Sequence, residues 1–289
     1  MSENSWSFAN GDRITDALTA VRLLGGGEIY EAYLAFDDIT YGFVVVKVVR
    51  PQRVASGSAL KGLRREIEAL ERLNHPVLVR LLRAAPDAER PHLVLEHIEG
   101  PRLSSLLRRH GPLQEHQYLP LAVELASVLH FLRYVGFVHL DIKPSNIIMG
   151  SPARLIDLSV ARTVELAGAL DHSVGTDDYM APEQVEPPQR GRPGPATDVW
   201  GVGATLFHAI EGVAPFDGDH TSDVTAARWP QVEHEAPPFT VRVRPDVAAV
   251  VHACLSRDPA DRPEPQQLAE SLEAALTELP KGKLSFKVR

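Results

Sequence analysis

The amino-acid sequence predicts an α+β protein of two lobes, a small strand-rich lobe followed by a larger, mainly helical one. Three observations carry this expectation. Short apolar runs with the length and flanks of strands fill the first hundred residues and enclose one helical pattern. A Gly100-Pro101 pair then punctuates the chain. From Leu103 onward, apolar residues recur at helical spacing in one segment after another.

In the first lobe, residues 31–36 and 42–49 are apolar runs bounded by glycine and by Asp37-Asp38, as strands are. Leu63, Ile67, Leu70 and Leu73 mark a helix over residues 61–73, and residues 92–98 form another strand. In the second lobe, residues 121–133 are apolar nearly all round, which predicts a buried helix. Residues 197–211, with Val199, Trp200, Val202, Leu206, Phe207 and Ile210, predict a second one. Leu268, Leu272 and Leu276 make a stripe at four-residue spacing. Two strand-like pieces, 146–149 and 153–157, interrupt this helical half, and the Pro/Gly-rich stretch 186–195 predicts an exposed loop. There is no internal repeat. The expected organisation is a flexible polar lead over 1–12 and a folded body over 13–278. Its lobes run to about residue 96 and from about residue 101, and 279–289 form a basic, solvated tail.

Composition narrows the function classes. The 289 residues carry a net charge of −8, so no basic footprint points to nucleic acid or to an acidic membrane face. Nothing approaches the roughly twenty apolar residues of a membrane span, and a cytoplasmic protein is expected. The lone Cys254 cannot form an internal disulfide, and its apolar neighbours predict a buried small residue rather than a nucleophile. The twelve histidines show no metal-ligand spacing.

Lys47 lies inside Val44-Val45-Val46-Lys47-Val48-Val49, where strand alternation groups it with Val45 and Val49. An ammonium in a largely buried strand needs an anion beside it, unless it lies on an edge and reaches water. Glu66, three residues after Leu63 and next to Ile67, offers that anion at the margin of the helix's apolar stripe. Glu68 and Glu71 fall on the solvated side. Upstream, Leu24-Gly25-Gly26-Gly27 begins a turn between two strands. Glycines there let backbone N–H groups approach phosphate oxygens, although such a run also suits a plain flexible turn.

The most specific segment is Val138-His139-Leu140-Asp141-Ile142-Lys143-Pro144-Ser145-Asn146-Ile147-Ile148, followed by Leu155-Ile156-Asp157-Leu158-Ser159. Asp157 and Asn146 offer hard oxygens to Mg²⁺. Asp141 can orient a hydroxyl nucleophile and accept its proton, and Lys143 can stabilise a transferring phosphoryl group. Polar turn residues would explain each position singly but not their joint spacing.

These segments resemble the eukaryotic-type (Hanks-type) Ser/Thr protein kinase family, and the resemblance runs from about Arg13 to Leu276. Further matches follow in order. Residues 93–98 resemble the hinge that holds adenine. Gly175-Thr176-Asp177-Asp178-Tyr179-Met180-Ala181-Pro182-Glu183 resembles the end of the activation segment, and Thr197-Asp198-Val199-Trp200-Gly201 a buried helix that braces the catalytic loop. Pro215-Phe216 follows, and Arg262 is the arginine that pairs with Glu183.

The resemblance implies a bilobal kinase-like fold and ATP with Mg²⁺ as the nucleotide and metal. By position it implies Asp141 as catalytic base, with Lys143, Lys47 and Glu66 as its partners in phosphoryl transfer, and Asn146 and Asp157 as metal ligands. The nucleotide would lie against Leu24, Gly25, Gly26, Gly27, Ala32, Val45, Lys47, Glu96, Ile98 and Ile148. Substrates would be proteins presenting Ser or Thr, because Lys143 and Thr176 together resemble the Ser/Thr-specific pattern. Regulatory input would come from a protein partner, expression level or modification. Frequent Ala, Arg, Pro and Val are the usage of a bacterium with a GC-rich genome.

Several positions depart from the family pattern, among them Val45 where a smaller alanine is common and Ala32 where valine is common. Leu140 stands where arginine is usual, so activity is expected not to depend strongly on phosphorylation of the activation segment at Thr163 or Ser173. Leu158-Ser159 replaces Phe-Gly, and Tyr30 takes the third glycine position of the phosphate loop. These departures keep open a rival reading, a pseudokinase scaffold that binds nucleotide or a partner without transfer. A small-molecule phosphotransferase is a third reading, opposed by the Ala181-Pro182-Glu183 segment and Arg262.

Overall fold

Strand alternation sorts the side chains of the first lobe onto two faces. The computed structural model describes residues 4–279, so the expected basic tail lies almost wholly outside the described residues. β1 (Arg13–Thr15), β2 (Leu18–Gly26), β3 (Tyr30–Asp37), β4 (Gly42–Val49), β5 (Leu81–Ala85) and β6 (His92–Glu96) form one antiparallel sheet in the order β1-β2-β3-β4-β6-β5. Tyr33, Ala35, Val44, Val46, Val48 and Val94 share its outer face and bury together with Ile14, Leu18 and Ala20. The register pairs Ala32 with Lys47, Leu34 with Val45, and Lys47 with Leu93, which puts these residues on the inner face.

Within the lead expected to be flexible, Trp6 and Phe8 pack against the outer face. Trp6 and Phe8 stack with ring centroids 5.9 Å apart, and Phe8 meets Tyr33 edge-on at 5.4 Å. The Trp6 indole N–H donates to the Val49 carbonyl at 2.8 Å, and the Arg90 guanidinium lies over both rings. The polar composition of residues 1–12 concealed the Trp6/Phe8 pair, whose two-residue spacing suits one face of an extended segment.

α1 (Gly57–Arg72) packs on the inner face through Leu63, Ile67 and Leu70. It begins four residues earlier than the start expected at residue 61, because the Ser56 side chain caps it by accepting from the Ala59 N–H. Gly57 and Ser58 hid that turn, since both are poor helix formers.

In the second lobe, α2 (Leu103–His110) precedes α3 (Glu115–Tyr134), which carries Pro120 inside it. Proline stops the sequence-based helix at 121. In the structure the helix runs through it, held at its start by the Gln117 side chain accepting from the Gln114 N–H. Short pairs β7 (Phe137–Val138) with β10 (Arg162–Thr163) and β8 (Ile147–Ile148) with β9 (Arg154–Leu155) frame the loops that follow.

α4 (Val164–Gly168), α5 (Pro182–Val185), α6 (Pro195–Glu211), α7 (Thr225–Arg228), α8 (Pro245–Cys254) and α9 (Pro265–Thr277) complete the described helices. α3 and α6 are the buried centre, and Trp200 of α6 stacks on Phe216 at 5.6 Å. Of the expected loop at 186–195, residues 188–190 are exposed, but Pro187 and Pro193 are buried and Pro195 opens α6. Cys254 is buried, which pushes its thiol up to about 12.

One core runs through both lobes. The chain after α1 crosses to β9: the Leu155 N–H donates to the Val77 carbonyl and the Val79 N–H to the Leu155 carbonyl, at 2.6 and 3.0 Å. This junction sets residue 157 beneath the inner face of the sheet. Among the described residues, no helix is long and apolar enough to cross a membrane.

Candidate active site

Lys47 meets two carboxylates. Its Nζ lies 2.9 and 2.8 Å from the two Glu66 oxygens and 2.9 Å from Asp157 Oδ1. Glu66 is 1% exposed, so the edge-strand reading of Lys47 fails: the amine is turned inward to a buried anion. Burial alone would push the Lys47 amine down, but Glu66 and Asp157 outweigh it and hold the amine above its ordinary range. Burial likewise opposes a charge on Asp157, yet Lys47 holds this carboxyl well below the usual carboxylate range. Glu68 and Glu71 are exposed, as the helix pattern predicts.

Asp141 anchors a second cluster. Its Oδ2 accepts from Asn146 Nδ2 at 3.0 Å and lies 2.8 Å from Lys143 Nζ, while its Oδ1 accepts from the Thr176 hydroxyl at 2.7 Å. Lys143 also donates to the Thr176 hydroxyl oxygen. The loop carrying Asp141 is pinned from below by Asp198 of α6. Asp198 accepts from the His139 and Leu140 N–H groups at 2.7 and 2.8 Å. Burial, which disfavours its charge, outweighs these two donors and lifts the carboxyl to about 7. His139 is buried, and its Nδ1 accepts from the Asp141 N–H at 3.3 Å, a bond that braces the loop.

The Ile156 N–H donates to the Asn146 carbonyl at 2.8 Å, so the residue just before β8 is tied to the residue just after β9, and Asp157 follows directly on that bond. An amide oxygen and a carboxylate form a hard-oxygen pair that fits a divalent cation such as Mg²⁺. Among the described residues there is no cluster of three or more His, Cys, Asp or Glu able to hold a metal by themselves.

Above these groups lies the glycine turn between β2 and β3. Gly25 has φ +147°, and a Cβ at Gly26 would stand 2.5 Å from the Tyr30 carbonyl oxygen, so both positions require glycine. Around Gly27 there is open space. Leu24, Ala32, Val45, Ile98 and Ile148 are each half-buried, which leaves an apolar face beside the turn partly uncovered. Glu96 differs from these wall residues. Its carboxylate binds Arg80 at 3.1 Å and also Arg154, so the side chain is held by two guanidinium groups.

Sequence reasoning missed the clamp on the turn. Arg50 Nε donates to the Gly27 carbonyl at 2.7 Å, and Arg50 Nη1 lies 3.0 Å from Glu31, a buried carboxylate that also accepts from the Trp6 N–H and the Tyr33 hydroxyl. A charged residue in an otherwise apolar strand was the available signal.

The departures have structural counterparts. Leu140 is 3% exposed and packs with Val138 and Ala167, flanked by Val160, Val164 and Leu170. α4 of the activation segment thus rests on an apolar side chain. Thr163 caps this helix by accepting from the Leu166 N–H at 3.3 Å. Leu158 is buried in the shared core. Ser159 does not occupy the left-handed region. That conformation falls on Asp157, with φ +67°, and on Leu140, with φ +66°.

Residues 18–272 match the protein kinase domain family. The chain belongs to this family. Glu183 and Arg262, both fully buried, make the kinase's ion pair at 2.6 and 2.9 Å beneath the activation segment. Among similar proteins, the chain is 28% identical to serine/threonine-protein kinase PknB of Mycolicibacterium smegmatis, over 93% of its own length and 44% of that protein. It is 32% identical to the probable serine/threonine-protein kinase PkwA of Thermomonospora curvata, over 87% of this chain and 33% of that protein. With serine/threonine-protein kinase PkaA of Streptomyces coelicolor it shares 32% identity over 79% of this chain and 42% of that protein. The kinase therefore spans less than half the length of each of these relatives.

Proposed function

We propose that this chain transfers the γ-phosphoryl group of Mg-ATP to Ser or Thr hydroxyls of protein substrates, in bacterial cytoplasmic signalling. The observation that carries this reading is the Lys47–Glu66–Asp157 contact formed beside an intact Asp141–Lys143–Thr176 cluster. A scaffold without transfer has no need to keep both charge clusters assembled, since each buried ion costs desolvation.

The roles follow the general scheme of phosphoryl transfer, in which positioning and electrostatic stabilisation supply most of the rate. Lys47, held by Glu66, meets the α/β-phosphates. Leu24, Ala32, Val45, Ile98 and Ile148 enclose the adenine, with the main chain of Glu96 and its neighbours at its edge. Gly25, Gly26 and Gly27 let the backbone lie close over the phosphates. Asn146 and Asp157 are the residues to hold Mg²⁺. When bound, that cation would neutralise negative charge on the phosphates.

Asp141 orients the substrate hydroxyl. The Thr176 hydroxyl already donates to this carboxylate at 2.7 Å, which supports its capacity to take a second hydroxyl donor in the same way. As the hydroxyl oxygen bonds to the γ-phosphorus, the bond to the bridging β–γ oxygen breaks. ADP leaves with that electron pair, and the hydroxyl proton passes to Asp141. Lys143, beside Asp141, stabilises charge on the transferring group. Regulation falls to a protein partner, abundance or modification.

Incubation with γ-labelled ATP, Mg²⁺ and generic protein substrates tests the proposal. Label is expected on Ser and Thr and absent with Asp141→Asn. Nucleotide binding with no label in any protein would establish the scaffold instead.

A further inference from the structure

Tyr30 stands where the family pattern has glycine, and the sequence alone makes it look like a defect. Its surroundings give it a task. The phenol hydroxyl donates to the Ala59 carbonyl in the first turn of α1, at 3.0 Å. Its ring lies over Lys47, with Nζ 4.9 Å from the centroid. Gly62, one turn further along the helix, makes room for it: a Cβ there would stand 2.9 Å from the Tyr30 hydroxyl. A glycine inside a helix weakens it relative to alanine. Here the missing methyl group is matched to a specific side chain on another element.

We propose that Tyr30 is a positioning residue, a strut between the phosphate-loop strand and α1 that holds Glu66 against Lys47. The inference rests on the kinase reading above. Ala59 and Glu66 are seven residues apart, two helical turns on one face and about 10 Å along the axis. A single ion pair at Glu66 leaves the helix free to pivot about that point. A second attachment at Ala59 removes the pivot. Both attachments run from the same sheet, because Tyr30 and Lys47 lie on adjacent paired strands. The ring over Lys47 adds a face that favours the ammonium. Tyr30 acts through Lys47 and Glu66 and needs no contact with the reacting atoms.

A double-mutant cycle on the full chain tests this, with Tyr30→Phe, Gly62→Ala and the two combined. Tyr30→Phe keeps the ring and removes the hydroxyl. The readouts are kcat and KM for ATP, and hydrogen exchange of the α1 amides without nucleotide. Tyr30→Phe is expected to lower kcat and speed α1 exchange by about fivefold each, the loss of one net hydrogen bond.

The sign of the Gly62→Ala effect is diagnostic. With Tyr30 present, the added Cβ displaces the hydroxyl from Ala59, so exchange accelerates and kcat falls. In the Tyr30→Phe background the clash is gone, alanine is the better helix former, and exchange slows. Additive effects, or unchanged exchange in Tyr30→Phe, would overturn the strut. Because exchange is read without catalysis, a wild-type chain that transfers no phosphate would refute the kinase activity while the exchange cycle still decided the strut.

Discussion

Lys47 and Asp157, 110 residues apart in sequence, meet at 2.9 Å across the junction of the two lobes. Neither lobe alone contains the contact. The crossing of the chain after α1 to β9 brings them together, and Glu66 completes the group from the helix above.

Lys47→Met leaves Glu66 as a buried carboxylate with no cation. The variant is expected to lose about 3 kcal/mol of stability, the order found when one member of a buried pair is removed. Turnover should fall on the order of 100-fold or more, because an electrostatic contact to the phosphates is gone. Adding Glu66→Met should restore much of the stability and none of the turnover. Urea unfolding and labelled-ATP assays on both variants separate the two effects.

Asp198 gives a pH signature. Its folded carboxyl titrates at about 7 against an ordinary value of 3.8, so between these values the folded state binds more protons than the unfolded state. Stability from this group is therefore fully present below the ordinary value and is lost as pH rises to about 7. Asp198→Asn cannot titrate and turns an amide NH₂ toward the His139 or Leu140 N–H. It should cost roughly 1–3 kcal/mol. The stability difference between wild type and variant should shrink as pH rises from 4 to 7, measured as urea midpoints across that range.

Leu140 predicts how the activation segment responds to phosphate. Phosphatase treatment is expected to leave turnover within about twofold, since no arginine at this position waits for a phosphate. Leu140→Ala should instead cost on the order of 2–4 kcal/mol and speed hydrogen exchange through α4, because the segment loses the side chain it rests on. Phosphatase treatment that abolished activity, with recovery on rephosphorylation of Thr163 or Ser173, would contradict this.

The N-terminal cover yields a stability prediction. Trp6→Ala removes the indole bond to Val49, the stack on Phe8 and one side of the Arg90 contact. A loss of about 2 kcal/mol is expected for a half-buried tryptophan. Thermal unfolding of the variant checks it.

What the sequence made legible was local. The spacing of Asp141, Lys143 and Asn146 lies within one loop, and the periodicities of α1, α3 and α6 lie within one helix each. Partners far apart in sequence were harder to read. The Lys47–Glu66 pairing was accessible because a lysine inside a valine run demands an anion. Glu31 and Arg50 escaped notice because Arg50 ends on the Gly27 carbonyl, a main-chain atom with no sequence signature, and Glu31 acts there only through Arg50. The partner of Tyr30 was hidden for the same reason, since its acceptor is the backbone of Ala59. Helix starts were hidden where Gly57, Ser58 and Pro120 oppose the propensity that tertiary packing overrides. The polar residues around Trp6 and Phe8 masked the one apolar pair that mattered there.

The leucine beneath α4 also changes what the environment can do to this chain. A guanidinium gripping a phosphate is a charge pair, and added electrolyte screens it. An aliphatic contact is indifferent to ionic strength, is tightened by salting-out anions such as sulfate, and loosens as the solution is chilled. The grip on the activation segment should therefore respond to cold rather than to salt.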